Sequence, residues 1–289
     1  MQQQSTSKSI HPDSRIGTAT LHVAQLDRSL HFYEDVLGFR RLEQTPERVV
    51  IGAEDMTPLL ILTEEPGAKP QPRQFAGVYH IAILLPGRAE LGQLLARMIE
   101  AGIEIGQGDH LVSEALYISD PDAIGLELYR DRPRDTWNWS EERRVQMASN
   151  PVDLEGVLAE GEQSSHRWTG LPAGTRIGHM HLRVGDIAQA EHFYHTILGF
   201  DITAQVPGAL FVSAGGYHHH IGLNTWESRG AGPAPEHTAG LSSFEVLLPD
   251  REALKEIQAR LIAAQIPFQE SGTSITVADP WQNRIVLHV

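Results

Sequence analysis

The sequence contains no cysteine in its 289 residues. Disulfide bonds, thiolate nucleophiles, zinc–thiolate sites and iron–sulfur clusters are therefore excluded. Any bound metal ion must be held by histidine and carboxylate side chains. The 15 histidines are an unusually large supply for a chain of this length, and they are the first indication of a metal site.

Basic residues and long apolar runs are also scarce. There are 23 Lys and Arg against 37 Asp and Glu, which gives a formal net charge of −14. A field of that sign repels phosphate backbones, so we expect no nucleic-acid partner. No apolar run approaches the roughly 20 residues of a membrane span, so we expect no membrane partner either. Residues 1–14 are polar and lack the apolar segment of a secretory signal, which predicts a disordered tail and a cytoplasmic protein.

The sequence does contain four copies of one repeated unit. TLHVAQLDRSLHFYEDVLGF, from Thr20, and HLRVGDIAQAEHFYHTILGF, from His181, share a strand, a helix and the letters HFY and LGF. GVYHIAILLP, from Gly77, and GLSSFEVLLP, from Gly240, share a strand that ends at Leu-Leu-Pro before an amphipathic helix. We name the four units A, B, A′ and B′ in chain order.

Each unit is predicted to fold as βαβββ. A strand with alternating or continuous apolar residues opens it, a helix with apolar residues three and four apart follows, and three short strands broken by Gly, Pro and Asp complete it. Units A and B make a predicted first domain over residues 15–131, and A′ and B′ a second over 176–289. The long mixed segment 132–175 between them is predicted to be a linker.

Tandem βαβββ units with Leu-Gly-Phe after the helix and Asp-Pro-Asp before a last strand resemble the vicinal-oxygen-chelate (VOC) superfamily. This superfamily includes glyoxalase I, bleomycin-resistance proteins and extradiol dioxygenases. The resemblance extends from Ile16 to Val289. It implies an α+β fold of two tandem VOC domains, whose mixed sheets form cups with ligands projecting from the first and last strands of each unit.

The resemblance also implies where metal ligands would stand. On first strands the positions are Thr18, His80, His179 and Ser243, and on last strands they are Ile61, Glu127, Ile221 and Val286. Only His80, Glu127 and His179 can bind a metal ion, and together they form the two-histidine, one-carboxylate triad of non-haem iron(II) oxygenases. Manganese(II) suits the same ligands. Because the three residues belong to units B and A′, we expect the two middle units to share a cup, and the two outer units to form a second cup without metal.

The stretch from Gly108 to Glu127 resembles the signature of extradiol dioxygenases. His110, Tyr117 and the Asp120–Pro121 pair match it, whereas Ala123 stands where Gly or Pro is expected, which predicts a changed turn. A second match is the run Tyr217-His218-His219-His220, just before Ile221. Strand alternation would direct His219 into the cup with Ile221, and His218 and His220 away from it.

Among extradiol enzymes the closest resemblance is to catechol-2,3-dioxygenases of the bacillus type. It implies iron(II), O2 and a catechol, bare or substituted, that is cleaved beside its diol. His219 would be the acid and base, Tyr117 would hydrogen-bond the substrate or the reacting oxygen, and His110 would tune that network. Two alternatives stay open: a metal-dependent isomerase or lyase of glyoxalase type, and a metal-free protein that sequesters small molecules.

Two further expectations are weaker. His181, Glu245 and His288 each stand two residues from a ligand position, so a second metal site, with His22 beside it, is a hypothesis for the outer units. Members of the superfamily often dimerise, which leaves a homo-oligomer open.

Overall fold

The computed structural model describes residues 9–289. Residues 1–8 of the predicted tail lie outside the described residues. Residues 9–14 differ from the expected disordered tail, because Ile10 is buried in the core and its backbone N–H donates to the carbonyl of Gly199 at 2.7 Å. One apolar side chain is enough to dock this short segment on unit A′.

The first half of the chain contains units A and B. Their elements are β1 Arg15–Val23, α1 Leu26–Leu30 with a π-helical continuation His31–Val36, β2 Arg40–Gln44, β3 Arg48–Gly52, β4 Pro58–Glu64, the short β5 Lys69–Pro70, β6 Gly77–Leu84, α2 Arg88–Glu100, β7 Gly106–Asp109, β8 Ser113–Ser119 and β9 Gly125–Asp131. In α2 the predicted apolar face is buried, except that Ile99 is exposed.

The second half repeats this order after the connecting segment. The connecting segment contains a 3-10 turn Arg134–Thr136 and α3 Leu154–Gln163. The elements of the second half are β10 Arg176–Arg183, α4 Ile187–Ala190 with a π-helical continuation Glu191–Ile197, β11 Asp201–Val206, β12 Ala209–Ser213, β13 Ile221–Asn224, β14 Thr238–Leu247, α5 Arg251–Ala263, β15 Phe268–Ser271, β16 Ser274–Ala278 and β17 Arg284–His288. Helix α5 begins where the Asp250 side chain accepts the backbone N–H groups of Glu252 and Ala253. No helix among the described residues is long and apolar enough to cross a membrane.

The strands form two mixed sheets, and each sheet takes one unit from each half of the chain. An eight-stranded sheet has the order β11-β12-β13-β10-β6-β9-β8-β7, so it joins units A′ and B. A nine-stranded sheet has the order β15-β16-β17-β14-β1-β4-β3-β2, with β5 beside β14, so it joins B′ and A. The predicted pairing of the two middle units is therefore confirmed. We call the concave face of the first sheet the middle cup and that of the second the outer cup.

The segment between the halves is packed rather than extended. Helix α3 lies against α2, where Gly92 and Gly161 permit close contact: a Cβ on Gly92 would lie 2.1 Å from the carbonyl oxygen of Val157. Further along, Asn150 exchanges two backbone hydrogen bonds with Asp109 at 2.8 and 2.9 Å. The segment thus extends the edge of the eight-stranded sheet at β7, next to the predicted catalytic His110.

The Asp-Pro turns before the last strands tie the two sheets together. Asp120 accepts the hydroxyl of Tyr33 at 3.0 Å, and Asp279 accepts that of Tyr194 at 3.0 Å, so a helix of one sheet holds a turn of the other in each half. Ala123 has φ +63°, and Gln282, its counterpart in unit B′, has φ +68°. Both turns therefore have a left-handed, non-glycine residue at the same place, and the change of turn relative to the signature stays a prediction.

Candidate metal centre

Three side chains from three adjacent strands converge in the middle cup. Glu127 Oε2 lies 2.9 Å from Nε2 of His80 and 3.1 Å from Nε2 of His179, and the two Nε2 atoms are 3.4 Å apart. Their strands β9, β6 and β10 are neighbours in the sheet, and all three residues are buried. They are the one group of three or more His, Asp and Glu in the described part of the chain whose ligand atoms lie so close together.

Protons alone cannot satisfy this triangle. If both Nε2 atoms carry hydrogen, each can donate to Glu127, but the two N–H groups then oppose each other. If one nitrogen is bare, its lone pair opposes an oxygen of the ionised carboxylate. A divalent cation satisfies all three atoms together, and ligands on one face of an octahedral ion at roughly 2.1 Å would lie about 3 Å apart. The residues present therefore fit a divalent metal.

The charges in the triangle suit a metal ligand set as well. Burial opposes ionisation of Glu127, but the charge and hydrogen bond of His179, together with the hydrogen bond of His80, outweigh it and hold the pKa of Glu127 well below its usual range. Burial lowers the pKa of His179 to about 4, although Glu127 opposes that shift. An ionised carboxylate beside a neutral imidazole is the protonation state that metal binding requires.

The fourth family position is filled by Gly222 and not by Ile221 as expected. In unit B, Ala82 stands two residues beyond the ligand histidine and pairs with Glu127; in unit A′ the corresponding His181 pairs with Gly222. Ile221 is fully buried in the main apolar core, away from the cup. A shift of one residue along a strand reverses the face, so the predicted position was wrong although its consequence, three protein ligands, is unchanged.

Tyr117 and His110 stand beside the triad as a hydrogen-bonded pair. Tyr117 lies opposite Glu127 across β8 and β9, and its hydroxyl is 2.6 Å from Nε2 of His110. His110 Nδ1 donates to the carbonyl of Ala148 at 2.7 Å, which leaves Nε2 of the neutral ring bare to accept the Tyr117 hydroxyl. Burial, and then the charge of Glu127, raise the pKa of Tyr117 well above its ordinary value, so the phenol stays protonated.

His219 enters the middle cup, but not by strand alternation. Strand β13 begins only at Ile221, so residues 217–220 form an irregular bend. The rings of His219 and His179 have centroids 4.1 Å apart, and burial, followed by the charges of neighbouring histidines, lowers the pKa of His219 well below its usual value. His218 does not point away as expected, because its Nδ1 lies 2.8 Å from Nδ1 of His219.

His181 belongs to the same cup and not to a second metal site. It lies on β10, with its ring centroid 4.8 Å from that of His80, and its Nε2 accepts from the Asn224 amide at 3.0 Å. Glu245 and His288 lie on β14 and β17 of the other sheet, so the hypothesised cluster of His181, Glu245 and His288 is not assembled. Its fourth member, His22, is hydrogen-bonded to the Thr63 hydroxyl.

Aromatic side chains border His181 in the middle cup. Tyr79, Phe211 and Trp226 have ring centroids 5.0, 5.7 and 5.7 Å from that of His181. Trp226 is half exposed, which makes it an edge of the cup. Trp137, in the segment between the halves, is buried, and its indole N–H donates to the carbonyl of Arg132. This aromatic border could not be predicted from the sequence, because single aromatic residues on three separate segments form no motif.

The fold and the site together define the class of protein. Residues 15–128 and 176–287 match the family model of the Glyoxalase/Bleomycin resistance protein/Dioxygenase superfamily, and the chain belongs to this superfamily. Its predicted membership and α+β fold are thereby confirmed. Within the superfamily, the catechol-2,3-dioxygenase of Bacillus subtilis (strain 168) is 50% identical over 275 residues, which are 94% of this chain and 96% of that relative.

Solved structures show the same fold at low identity. A proposed dioxygenase of Bacillus subtilis subsp. subtilis superposes with a TM-score of 0.65 at 15% identity, covering 97% of this chain and 86% of the other. Glyoxalase I from Zea mays superposes with a TM-score of 0.57 at 16% identity, covering 96% and 92%. These likenesses support the tandem architecture and carry no information about the reaction.

Proposed function

We propose that the protein is an extradiol dioxygenase that cleaves catechol, or a substituted catechol, with O2 at an iron(II) centre held by His80, Glu127 and His179. The observation that carries the proposal is the meeting of this triad with Tyr117 and His219 in one buried cup. The relative from Bacillus subtilis named catechol-2,3-dioxygenase, 50% identical, supports it. A cytoplasmic role in the breakdown of aromatic compounds belongs to the same proposal.

When bound, iron(II) supplies open coordination positions and the redox chemistry through which an aromatic diol and O2 can react. The other residues of the cup would transfer protons, shape the pocket and exclude water. The fourth family position supplies no protein ligand, because Gly222 has no side chain. A Cβ at that position would lie 2.9 Å from the ring of His181, so the glycine also gives that ring its place.

His219 is the proposed acid and base. A catechol must lose protons to bind as a chelate, and one proton must return when the ring opens. A neutral imidazole whose Nε2 is bare can accept the first proton and later donate it. Among the described residues no side chain or backbone group hydrogen-bonds Nε2 of His219, so that nitrogen is available to substrate.

Tyr117 and His110 are proposed to direct the reacting oxygens. With its hydroxyl proton held by His110, the phenol oxygen of Tyr117 presents lone pairs that accept a hydrogen bond from a substrate hydroxyl. Rotation of the same hydroxyl would turn it into a donor. We further propose that Tyr79, Phe211 and Trp226 flank the flat ring of the substrate and exclude water.

The test begins with protein loaded anaerobically with iron(II), to which catechol is added in air. The expected result is a coloured ring-fission product that His80→Ala, Glu127→Ala and His179→Ala reduce by about a thousandfold or more. Ser243→Ala, at the outer-cup position that corresponds to His80, is the matched control and should keep activity within about twofold. Bound iron without cleavage of any catechol would favour the isomerase, and absence of bound metal would favour the binding protein.

A further inference from the structure

A line of hydrogen bonds leads from Asp131, at the end of β9, to His219 in the middle cup. Asp131 Oδ1 is 3.1 Å from Nε2 of His218, and Nδ1 of His218 is 2.8 Å from Nδ1 of His219. The same carboxylate oxygen accepts the hydroxyl of Tyr217 at 3.1 Å. Units B and A′ thus each contribute members to one array.

For neutral imidazole rings, the order of donors and acceptors along this line follows from counting their hydrogens. An ionised Asp131 can only accept, so Nε2 of His218 must carry the hydrogen. A neutral His218 is then bare at Nδ1 and can only accept from His219. His219 must therefore hold its own hydrogen on Nδ1, which leaves Nε2 bare. The reverse order would set a lone pair of His218 against the carboxylate.

The intermediate residue is held tightly enough to impose this order. His218 is 1% exposed, and its ring packs against those of Tyr217 and Trp137 with centroid separations of 4.1 and 5.3 Å. Because the ring cannot rotate freely in this packing, its two nitrogens keep their separate partners. The Asp131 side chain is about one-fifth exposed, so its charge remains hydrated at the outer end of the line.

We propose that Asp131 and His218 are positioning residues, which hold His219 as the tautomer with hydrogen on Nδ1 and a bare Nε2 facing the cup. The catalytic consequence rests on the proposed function, in which that nitrogen is the base. When Nε2 takes a proton from substrate, the positive ring of His219 is already connected by hydrogen bonds, through His218, to the negative Asp131 carboxylate. In a catalytic triad a carboxylate bonds directly to the catalytic histidine and fixes its tautomer. Here a second histidine, His218, stands between the carboxylate and the catalytic histidine.

The tautomer can be measured directly by NMR, independently of activity. We would label the full-length protein with ¹⁵N-histidine, load it with diamagnetic zinc(II), and read which nitrogen of His219 carries hydrogen. The wild type should show hydrogen on Nδ1. His218→Phe keeps a ring in the aromatic packing but offers no acceptor, so hydrogen should move to Nε2. His218→Gln offers a side-chain carbonyl and should restore the Nδ1 form.

Kinetics of the iron-loaded variants supply the second readout. His218→Phe should lower kcat for catechol about a hundredfold while KM changes less than about threefold, and His218→Gln should recover most of kcat. Tyr217→Phe removes another hydrogen bond from Asp131 but leaves the line intact, so kcat should stay within about threefold.

Two results would overturn the proposal: a wild-type His219 with hydrogen on Nε2, or a His218→Phe variant that keeps the tautomer or the full kcat. A wild type that cleaves no catechol would refute the proposed function. The tautomer measurement would in that case still decide whether Asp131 and His218 position His219.

Discussion

The middle and outer cups are each built from two βαβββ units, yet among the described residues only the middle cup brings three His or Glu ligand atoms close enough together for one metal ion. At the four corresponding positions the middle cup has His179, His80, Glu127 and Gly222. The outer cup has Thr18, Ser243, Val286 and Ile61. Both sheets bury one face against helices and apolar side chains. The comparison shows that fold and site lie on opposite faces of the same strands, so one face can change while the other is kept.

The two halves also show which part of the signature is structural. Asp120 and Asp279 each end a strand hairpin, accept two backbone N–H groups of the following turn and accept a tyrosine hydroxyl from the other sheet. Asp279 does this in a unit that contributes no ligand to the metal triad. The Asp-Pro element therefore holds the sheets together, and the part of the signature that the proposed reaction would use is His110, Tyr117 and Glu127.

The largest effect is expected when Glu127 and Val286, at corresponding positions on the last strands of units B and B′, are each changed to the other residue type. Glu127→Val removes the only carboxylate of the triad, and we expect the catechol-cleaving activity to fall by about a thousandfold or more. Val286→Glu places a carboxylate opposite Glu245, at outer-cup positions where Thr18 and Ser243 replace the two histidines, so activity should stay near that of the wild type. Steady-state oxygen uptake measures both. Substantial activity in Glu127→Val would remove the triad from the mechanism.

A smaller effect is expected where the cups differ by the size of one side chain. Gly222→Ala puts a Cβ within 2.9–3.1 Å of the His181 ring, so this ring, whose centroid lies 4.8 Å from that of His80, must shift. We expect about a tenfold loss of kcat/KM with a smaller change in metal affinity. The matched outer-cup variant Ile61→Ala should only lower stability, by about 2 kcal/mol, the lower end of the range for such a truncation, because Ile61 is only partly buried. Equal kinetic effects from both variants would show that the fourth position acts through stability alone.

The smallest effect is a pH dependence of the free energy of unfolding. It comes from the two Asp-Pro turns and not from the metal site. Burial raises the pKa of Asp120 from 3.8 to about 6, despite the hydrogen bonds that oppose the shift. The folded state thus binds a proton more tightly than the unfolded chain. Protonation of Asp120 therefore stabilises the folded state fully below about pH 4, and this stabilisation is lost as the pH rises through about 6.

Relative to Asp120→Asn, the wild type should therefore lose on the order of 2 kcal/mol of unfolding free energy between pH 4 and 7. Urea denaturation at a series of pH values measures this difference. Burial also raises the pKa of Asp279, so Asp279→Asn should show a difference of the same sign. A wild type that gains stability over this range, relative to either variant, would contradict the account.

The sequence was sufficient to predict the four units, their pairing and the triad, for one physical reason. His80, Glu127 and His179 interrupt apolar strands where a polar side chain is costly, so they are conspicuous without a structure. Ile221 was misplaced because a one-residue difference in strand pairing is invisible in the residue pattern.

Other parts of the site could not be predicted for different reasons. The carbonyl of Ala148 that orients His110 belongs to the backbone, and any residue could supply it. His218 was directed away from the cup by an alternation rule that fails where the strand has not yet begun. Its link to Asp131 joins residues 87 positions apart in two different units.

The central claim is that one chain binds one metal ion, in the middle cup. Anaerobic titration of the metal-free protein with iron(II), read as ions bound per chain, tests it most directly. We expect one ion in the wild type and in Val286→Glu, and none in Glu127→Val. Two ions in the wild type, or one ion retained in Glu127→Val, would contradict the account.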